Sequence, residues 1–265
     1  MGGPAPAAAA PGLVFQRTVG GLGSNAATVP QNAFIGLAEP STGESDVPTS
    51  AYIQSALFLL IAAVALFASA GTVAIVGFWL FLAIQLAGIV ASFVLLPPDL
   101  VRERMRPGGQ KPPLGLRLSV IVIVAAFVIA GLDRGRFHWS DDVPPSLQGL
   151  CLVGLAASYA FVFWAMKVNR FFSSIVRIQA DRGQHVVASG PYAYVRHPGY
   201  LGAVIMTFCS GPALGSWLAA AIFVVSGLPF LVYRAVTEDR VLRAELPGYA
   251  EYAGRVRWRL LPGIW

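Results

Sequence analysis

Charge is what this sequence has least of. Only 12% of its 265 residues are Asp, Glu, Lys or Arg, against about 25% in a typical soluble domain. Positions 47 to 98 carry none at all. One helix needs about 20 apolar residues to cross a bilayer, so this stretch holds two spans, divided at Gly71-Thr72. With 56% hydrophobic residues and a mean hydropathy of +0.65, an ordinary soluble globule is excluded. Cysteine is almost missing: Cys151 and Cys209 both lie in apolar runs, which excludes a disulfide framework and a clustered zinc site. They read as small buried hydrophobes, and no metal is expected. Lysine occurs only at 111 and 167. The net charge of +6 is therefore carried by arginines in membrane-flanking loops, which suits anionic lipid headgroups rather than nucleic acid.

Apolar runs and their boundaries organise the chain. Residues 1–49 are rich in Ala, Gly, Pro, Ser and Thr and read as a disordered low-complexity tail. Its Ala run at 7–10 is too short for a signal-peptide core. The GxGxxA pattern at Gly21–Ala26 meets Pro30 too soon to open a dinucleotide-binding helix. Residues 50–265 form one membrane domain. Spans are expected at about Tyr52–Ala70, Val73–Leu96 (ended by Pro97 and Pro98), Leu114–Leu132 and Leu147–Met166. The run from Gly199 to Val236 is long enough to cross and return, and Gly211-Pro212 with Gly215 permit a turn in its middle. Its first arm, about His197 to Ser210, rises only about 21 Å, so it is short for a full span. The expected fold is all-α: a polytopic membrane bundle of four spans plus a C-terminal helical hairpin. Arginine-rich loops at 97–113 and 167–198 place those loops, the polar ends of the C-terminal part (169–265) and both termini in the cytoplasm. The last segment, Thr237–Trp265, suits a short helix and a tail lying against the domain or the interface.

Two polar clusters sit at the cytoplasmic end of the hairpin. The first is GPYAYVRHPGYLG, residues 190–202. Pro198 suits the first turn of a helix, whose free N–H groups point toward an anion. Arg196 adds a permanent charge with a fork of donors. Tyr192, Tyr194 and Tyr200 offer ring faces for a heterocycle, and Gly190, Gly199 and Gly202 allow close approach of the backbone. The second cluster is Arg234, Glu238 and Asp239, with 234 and 238 on one helix face. Acidic groups there suit an ammonium or sulfonium, while Arg196 and the helix end suit a carboxylate. A zwitterionic amino-acid moiety beside a heterocycle satisfies both.

These motifs, with Leu242, Gly248, Tyr252 and the RLLPGIW run at 259–265, resemble the isoprenylcysteine carboxyl methyltransferase family, a relative of the membrane phospholipid N-methyltransferases. The likeness is strongest from NRFFSSIVRIQADRG at 169 onward and includes the PPDLVRERMRPGG loop at 97–109. The Arg-rich, Lys-poor usage suggests a bacterial-type member. The resemblance implies S-adenosyl-L-methionine as cofactor and a lipophilic or membrane-associated methyl acceptor. It implies cofactor-pocket roles for Gly190, Tyr192, Arg196, His197, Pro198, Tyr200, Gly202, Glu238 and Asp239. It assigns the reaction itself to Arg234, which orients the acceptor, and to Glu238 and His197. Asp239 stands where family members often have glutamate, and Gln184 where eukaryotic relatives often have histidine.

Methyl transfer from a sulfonium is an in-line displacement, so positioning supplies much of the rate. A carboxylate acceptor needs no general base. A thiol or amine acceptor does, and beyond His197 or Glu238 none is evident. Two other classes compete: an NADPH-dependent membrane steroid or sterol reductase, disfavoured by the acidic Glu238-Asp239 pair, and a non-enzymatic scaffold or transporter.

Overall fold

A computed structural model describes residues 47–105 and 114–265. The expected tail up to residue 46, together with Arg106 and Lys111 of the first basic loop, lies outside these residues. Among the described residues every regular element is helical. The α-helices, in order, are α1 (Thr49–Ala70), α2 (Val76–Leu95), α3 (Pro98–Met105), α4 (Leu114–Leu132), α5 (Pro145–Val168), α6 (Pro198–Ala213), α7 (Trp217–Glu245) and α8 (Tyr249–Arg255).

Among the described residues, five segments are long and apolar enough to cross a membrane: α1, α2, Arg117–Phe137, α5 and α7. Their boundaries follow backbone chemistry. Gly71 takes the left-handed conformation (φ 72°) and its N–H caps Phe67 O, which closes α1. Pro97 and Pro98 stop α2, but Pro98 then opens the short helix α3, where a plain loop was expected. The hairpin forms as α6 and α7, joined through Leu214–Ser216, with the Ser216 hydroxyl accepting from Ala219 N at the start of α7. Its arms are unequal. The first has 16 residues and the second 29, so α7 alone carries the chain from the apolar layer to the polar end.

Helix α6 packs between α5 and α7, while α1 packs on α4. The core runs through Leu66, Phe78, Phe81, Phe127, Leu155 and Leu214. Large apolar side chains such as Ile53, Leu60, Val94 and Val225 stay exposed, as a lipid-facing surface requires. Small residues set the helix spacing. A Cβ on Gly202 would stand 2.3 Å from Val162 Cγ2 of α5, so this glycine serves the α5–α6 contact.

Opposite the two polar clusters, a short π-helical turn at Asp133–Phe137 extends α4. The Asp133 carboxylate is fully buried and accepts from Ser140 N, the Ser140 hydroxyl and the Ser216 hydroxyl. Arg136 donates to Ser69 O and Ala68 O at the end of α1. The charges of this loop thus tie α1, α4 and the hairpin turn together. Asp133→Ala, which strands two hydroxyls, is expected to lower stability by about 2–4 kcal/mol. Detergent-solubilised thermal unfolding against Asp142→Ala as control measures this, and equal melting of both variants would refute it.

Candidate active site

The polar end is built from three pieces: the irregular segment 169–197, the end of α7, and α8 with the residues after it. Helix α3 anchors the first. Glu103 accepts from Arg177 (2.9 Å) and from the Ser173 hydroxyl (2.9 Å), and Asp99 accepts from Arg182 (2.7 Å). Asn169 Nδ2 donates to the Tyr192 hydroxyl at 3.2 Å. Burial pushes the Tyr192 hydroxyl well above its ordinary pKa, so it remains protonated. The segment then turns through Gly190, whose φ of 58° is left-handed backbone that favours glycine.

Asp239 is the hub. Its carboxylate is 1% exposed and accepts from Arg196 Nε (2.8 Å) and Nη2 (3.4 Å), Tyr249 (3.0 Å), Arg243 (3.1 Å) and Arg259 (3.2 Å). Arg196 Nη1 donates to Val256 O (2.8 Å) and Arg257 O (2.9 Å). Guanidinium has five N–H donors, and four of those of Arg196 are already engaged. The backbone N–H groups of Arg196 and His197 donate to Trp258 O and Arg259 O. Residues after α8 are thereby bound to the start of α6, and Pro198 occupies the first turn as expected.

A cavity of about 680 Å³ opens beside this hub. Its polar wall includes Tyr192, Arg196, His197, Tyr200, Arg234 and Glu238. It continues between helices past Ile89 of α2, Ile123 of α4, Phe163 of α5 and Phe230 of α7. The Tyr200 hydroxyl donates to Glu238 Oε2 at 2.7 Å and accepts from Arg234 Nε at 3.1 Å. Arg234 also stacks on the Tyr200 ring, with Cζ 5.8 Å from its centroid. His197 is buried; its Nδ1 stands 4.0 Å from Glu238 Oε1 and its Nε2 3.5 Å from Asp239 Oδ1, without hydrogen-bond alignment.

The structure therefore divides the expected site residues. Tyr192, Arg196, His197, Tyr200, Arg234 and Glu238 converge on the cavity, whereas Gly190, Pro198, Gly202 and Asp239 lie outside its wall. Gly202 faces Val162 because α5 crosses α6 there. Asp239 lies outside the cavity wall because Arg196, Tyr249 and Arg259, all from outside α7, converge on it. Tyr194 is exposed. Gln184 lines the cavity and its Oε1 accepts from Gln179 N at 2.7 Å. Sequence reasoning missed Arg104, Arg177 and Tyr249 as wall residues. The signal for Arg104 and Arg177 lies in the two arginine-bearing runs at 97–109 and 169–183, and Tyr249 belongs to the last segment, Thr237–Trp265.

Comparison with known proteins bears on this same region. Residues 149–244 match the isoprenylcysteine carboxyl methyltransferase (ICMT) family model. The chain is 30% identical over 142 residues to the cobalt-zinc-cadmium resistance protein CzcN of Cupriavidus metallidurans, covering 52% of this chain and 61% of that protein. It is 32% identical over 107 residues to the protein-S-isoprenylcysteine O-methyltransferase of Schizosaccharomyces pombe, covering 40% of this chain and 44% of that protein. The chain thus spans less than two thirds of the length of either relative. The match runs from α5 to the last turn of α7 and contains Arg177, Tyr192, Arg196, His197, Tyr200, Arg234 and Glu238, whereas Arg104, Tyr249 and Tyr252 fall outside it.

Removing Arg196 leaves Asp239 buried beside only its outer cations. Arg196→Ala is expected to lower stability by about 3 kcal/mol. A thermal melt in the absence of any ligand measures it, and an unchanged melt would show that Arg196 is not structural.

Proposed function

We propose that this chain transfers a methyl group from S-adenosyl-L-methionine to a lipophilic acceptor held in the cavity. One observation carries the reading: a cavity whose Tyr-, Arg- and Glu-lined end continues into an apolar passage between membrane-competent helices. Such a site takes a polar cofactor and a greasy partner together. The family match over 149–244 supports the reaction class. The similarity to the yeast protein-S-isoprenylcysteine O-methyltransferase favours a carboxylate acceptor.

The wall fits the cofactor chemically. Glu238 is the carboxylate of a cationic wall and is partly open to the cavity, so it suits an ammonium or sulfonium. Tyr192 and Tyr200 offer faces and hydroxyls to a heterocycle. When bound, the cofactor supplies an electrophilic methyl group. Tyr200 holds Glu238 and Arg234 in fixed relation through one hydroxyl, which orients an acceptor against that methyl. The apolar helices exclude water, and fixed dipoles replace it around the reacting charges. Arg196 acts on this reading mainly as a positioning residue, holding the start of α6 in place through Asp239. A thiol or amine acceptor has His197 or Glu238 as the nearest proton acceptor.

By the arginine distribution we also assign the site and both termini to the cytoplasmic side. Exposed Arg240, Arg255 and Arg257 there face anionic lipid headgroups. Calorimetric titration with S-adenosylhomocysteine, with NADPH in parallel, tests the reading. Binding that weakens at least about tenfold in Glu238→Ala, with NADPH silent, is expected. NADPH binding alone would move the protein to the reductases. Silence from both in folded protein would end the enzyme reading.

A further inference from the structure

The cavity wall contains four arginines: Arg104, Arg177, Arg196 and Arg234. Two are neutralised within the protein. Arg177 pairs with Glu103 and Asp181, and Arg196 with Asp239. Among the described residues, Arg104 and Arg234 make no ion pair with a carboxylate; each instead rests on an aromatic ring. Arg104 Cζ lies 5.1 Å from the centroid of Phe172. Phe172 in turn sits against Gly199, where a Cβ would stand 2.3 Å from its ring. Arg234 stacks on Tyr200, the next residue along α6. The two guanidinium groups are thus presented to one cavity from adjacent rings at the start of α6.

Placing two cations in one half-buried wall costs desolvation and mutual repulsion unless an anion joins them. Burial, opposed by Tyr200 and assisted by the neighbouring charge of Arg234, lowers the pKa of Arg104 to about 10, which leaves it cationic at neutral pH. Stacking on a ring holds a guanidinium plane in place while leaving its edge free to donate. Glu238 does not supply the missing charge to Arg234 directly, because the Tyr200 hydroxyl stands between them.

We propose that Arg104 and Arg234 form a two-guanidinium clamp for a ligand carboxylate in this cavity, with Arg104 a binding residue contributed by α3, outside the helical hairpin. The clamp rests on the methyl-transfer reading and deepens it. Arg196 has a single N–H left for a ligand, so the carboxylate must be met elsewhere in the wall. Two sources share that chemistry: the amino-acid end of the cofactor and an acidic lipophilic acceptor.

Calorimetric titration of the full chain in nanodiscs, as wild type, Arg104→Ala and Arg104→Lys, separates them. The probes are S-adenosylhomocysteine and hexadecanoate, with 5′-methylthioadenosine and hexadecanol as carboxylate-free partners. Arg104→Ala is expected to weaken one carboxylate probe at least about tenfold, to leave its carboxylate-free partner within twofold, and to show a smaller loss for Arg104→Lys, which keeps charge but not the fork. Loss confined to S-adenosylhomocysteine assigns the cofactor carboxylate, and loss confined to hexadecanoate assigns the acceptor. Arg104-dependent hexadecanoate binding in a wild type that ignores S-adenosylhomocysteine keeps the clamp and removes the methyl-transfer reading. Unchanged binding in Arg104→Ala, equal loss of the carboxylate-free partners, or no carboxylate binding by wild type would each overturn the clamp. Should Arg104→Ala not fold, Arg104→Lys with unaltered probe affinities is the overturning result.

Discussion

The buried carboxylate of Asp239 is the constraint on which the polar end depends. A charge at 1% exposure is tolerable only when fully satisfied, and this one recruits partners from three parts of the chain. Arg196 comes from the turn before α6, Tyr249 from α8, and Arg259 from the segment beyond it. Because Arg196 also donates to Val256 O and Arg257 O, the same interaction fixes the C-terminal segment to the mouth of the hairpin. The cavity-facing residues His197 and Glu238 are immediate chain neighbours of Arg196 and Asp239, and Tyr200 is bonded to Glu238. Their geometry is inherited from the hub.

The far end of the hairpin is held by the same kind of device at smaller scale. Asp133 joins the end of α4 to the first turn of α7 through Ser140 and Ser216. Between the two carboxylates, small residues set the helix spacing, Gly202 of α6 against Val162 of α5 and Gly211 of α6 against Ala220 of α7. A lipid-exposed bundle gains little from the hydrophobic effect between helices, so polar pins at both ends and small-residue seams between them are what define one arrangement.

Much of this was legible from residue order. The charge-free run at 47–98, the prolines that close it, and Gly211-Pro212 foretell α1, α2 and the hairpin, because span length and helix breaking are local properties. The six residues that converge on the cavity were also named in advance, since Arg, His, Tyr and Glu are rare in this chain and stand at helix ends. What remained hidden is tertiary. Glu238 and Asp239 are adjacent, yet one faces the cavity and the other the C-terminal segment, and only the placement of Arg196 and Tyr249 decides which. Gly202 appeared as a cofactor-approach glycine because spacing cannot tell a ligand from a neighbouring helix. Helix α3 was read as a basic loop, so the path by which Arg104 reaches a cavity built from residues about 100 positions later was invisible.

On the proposed reading, Glu238 meets the cationic part of the cofactor, the guanidinium clamp meets a ligand carboxylate, and the acceptor enters from the apolar side. The most direct measurement is transfer of tritium from S-adenosyl-L-[methyl-³H]methionine into the organic phase of a lipid extract by nanodisc-embedded protein. The account predicts extractable label with wild type and none with folded Glu238→Ala protein. Label that never enters the organic phase, under any lipophilic acid, thiol or amine supplied, would contradict it.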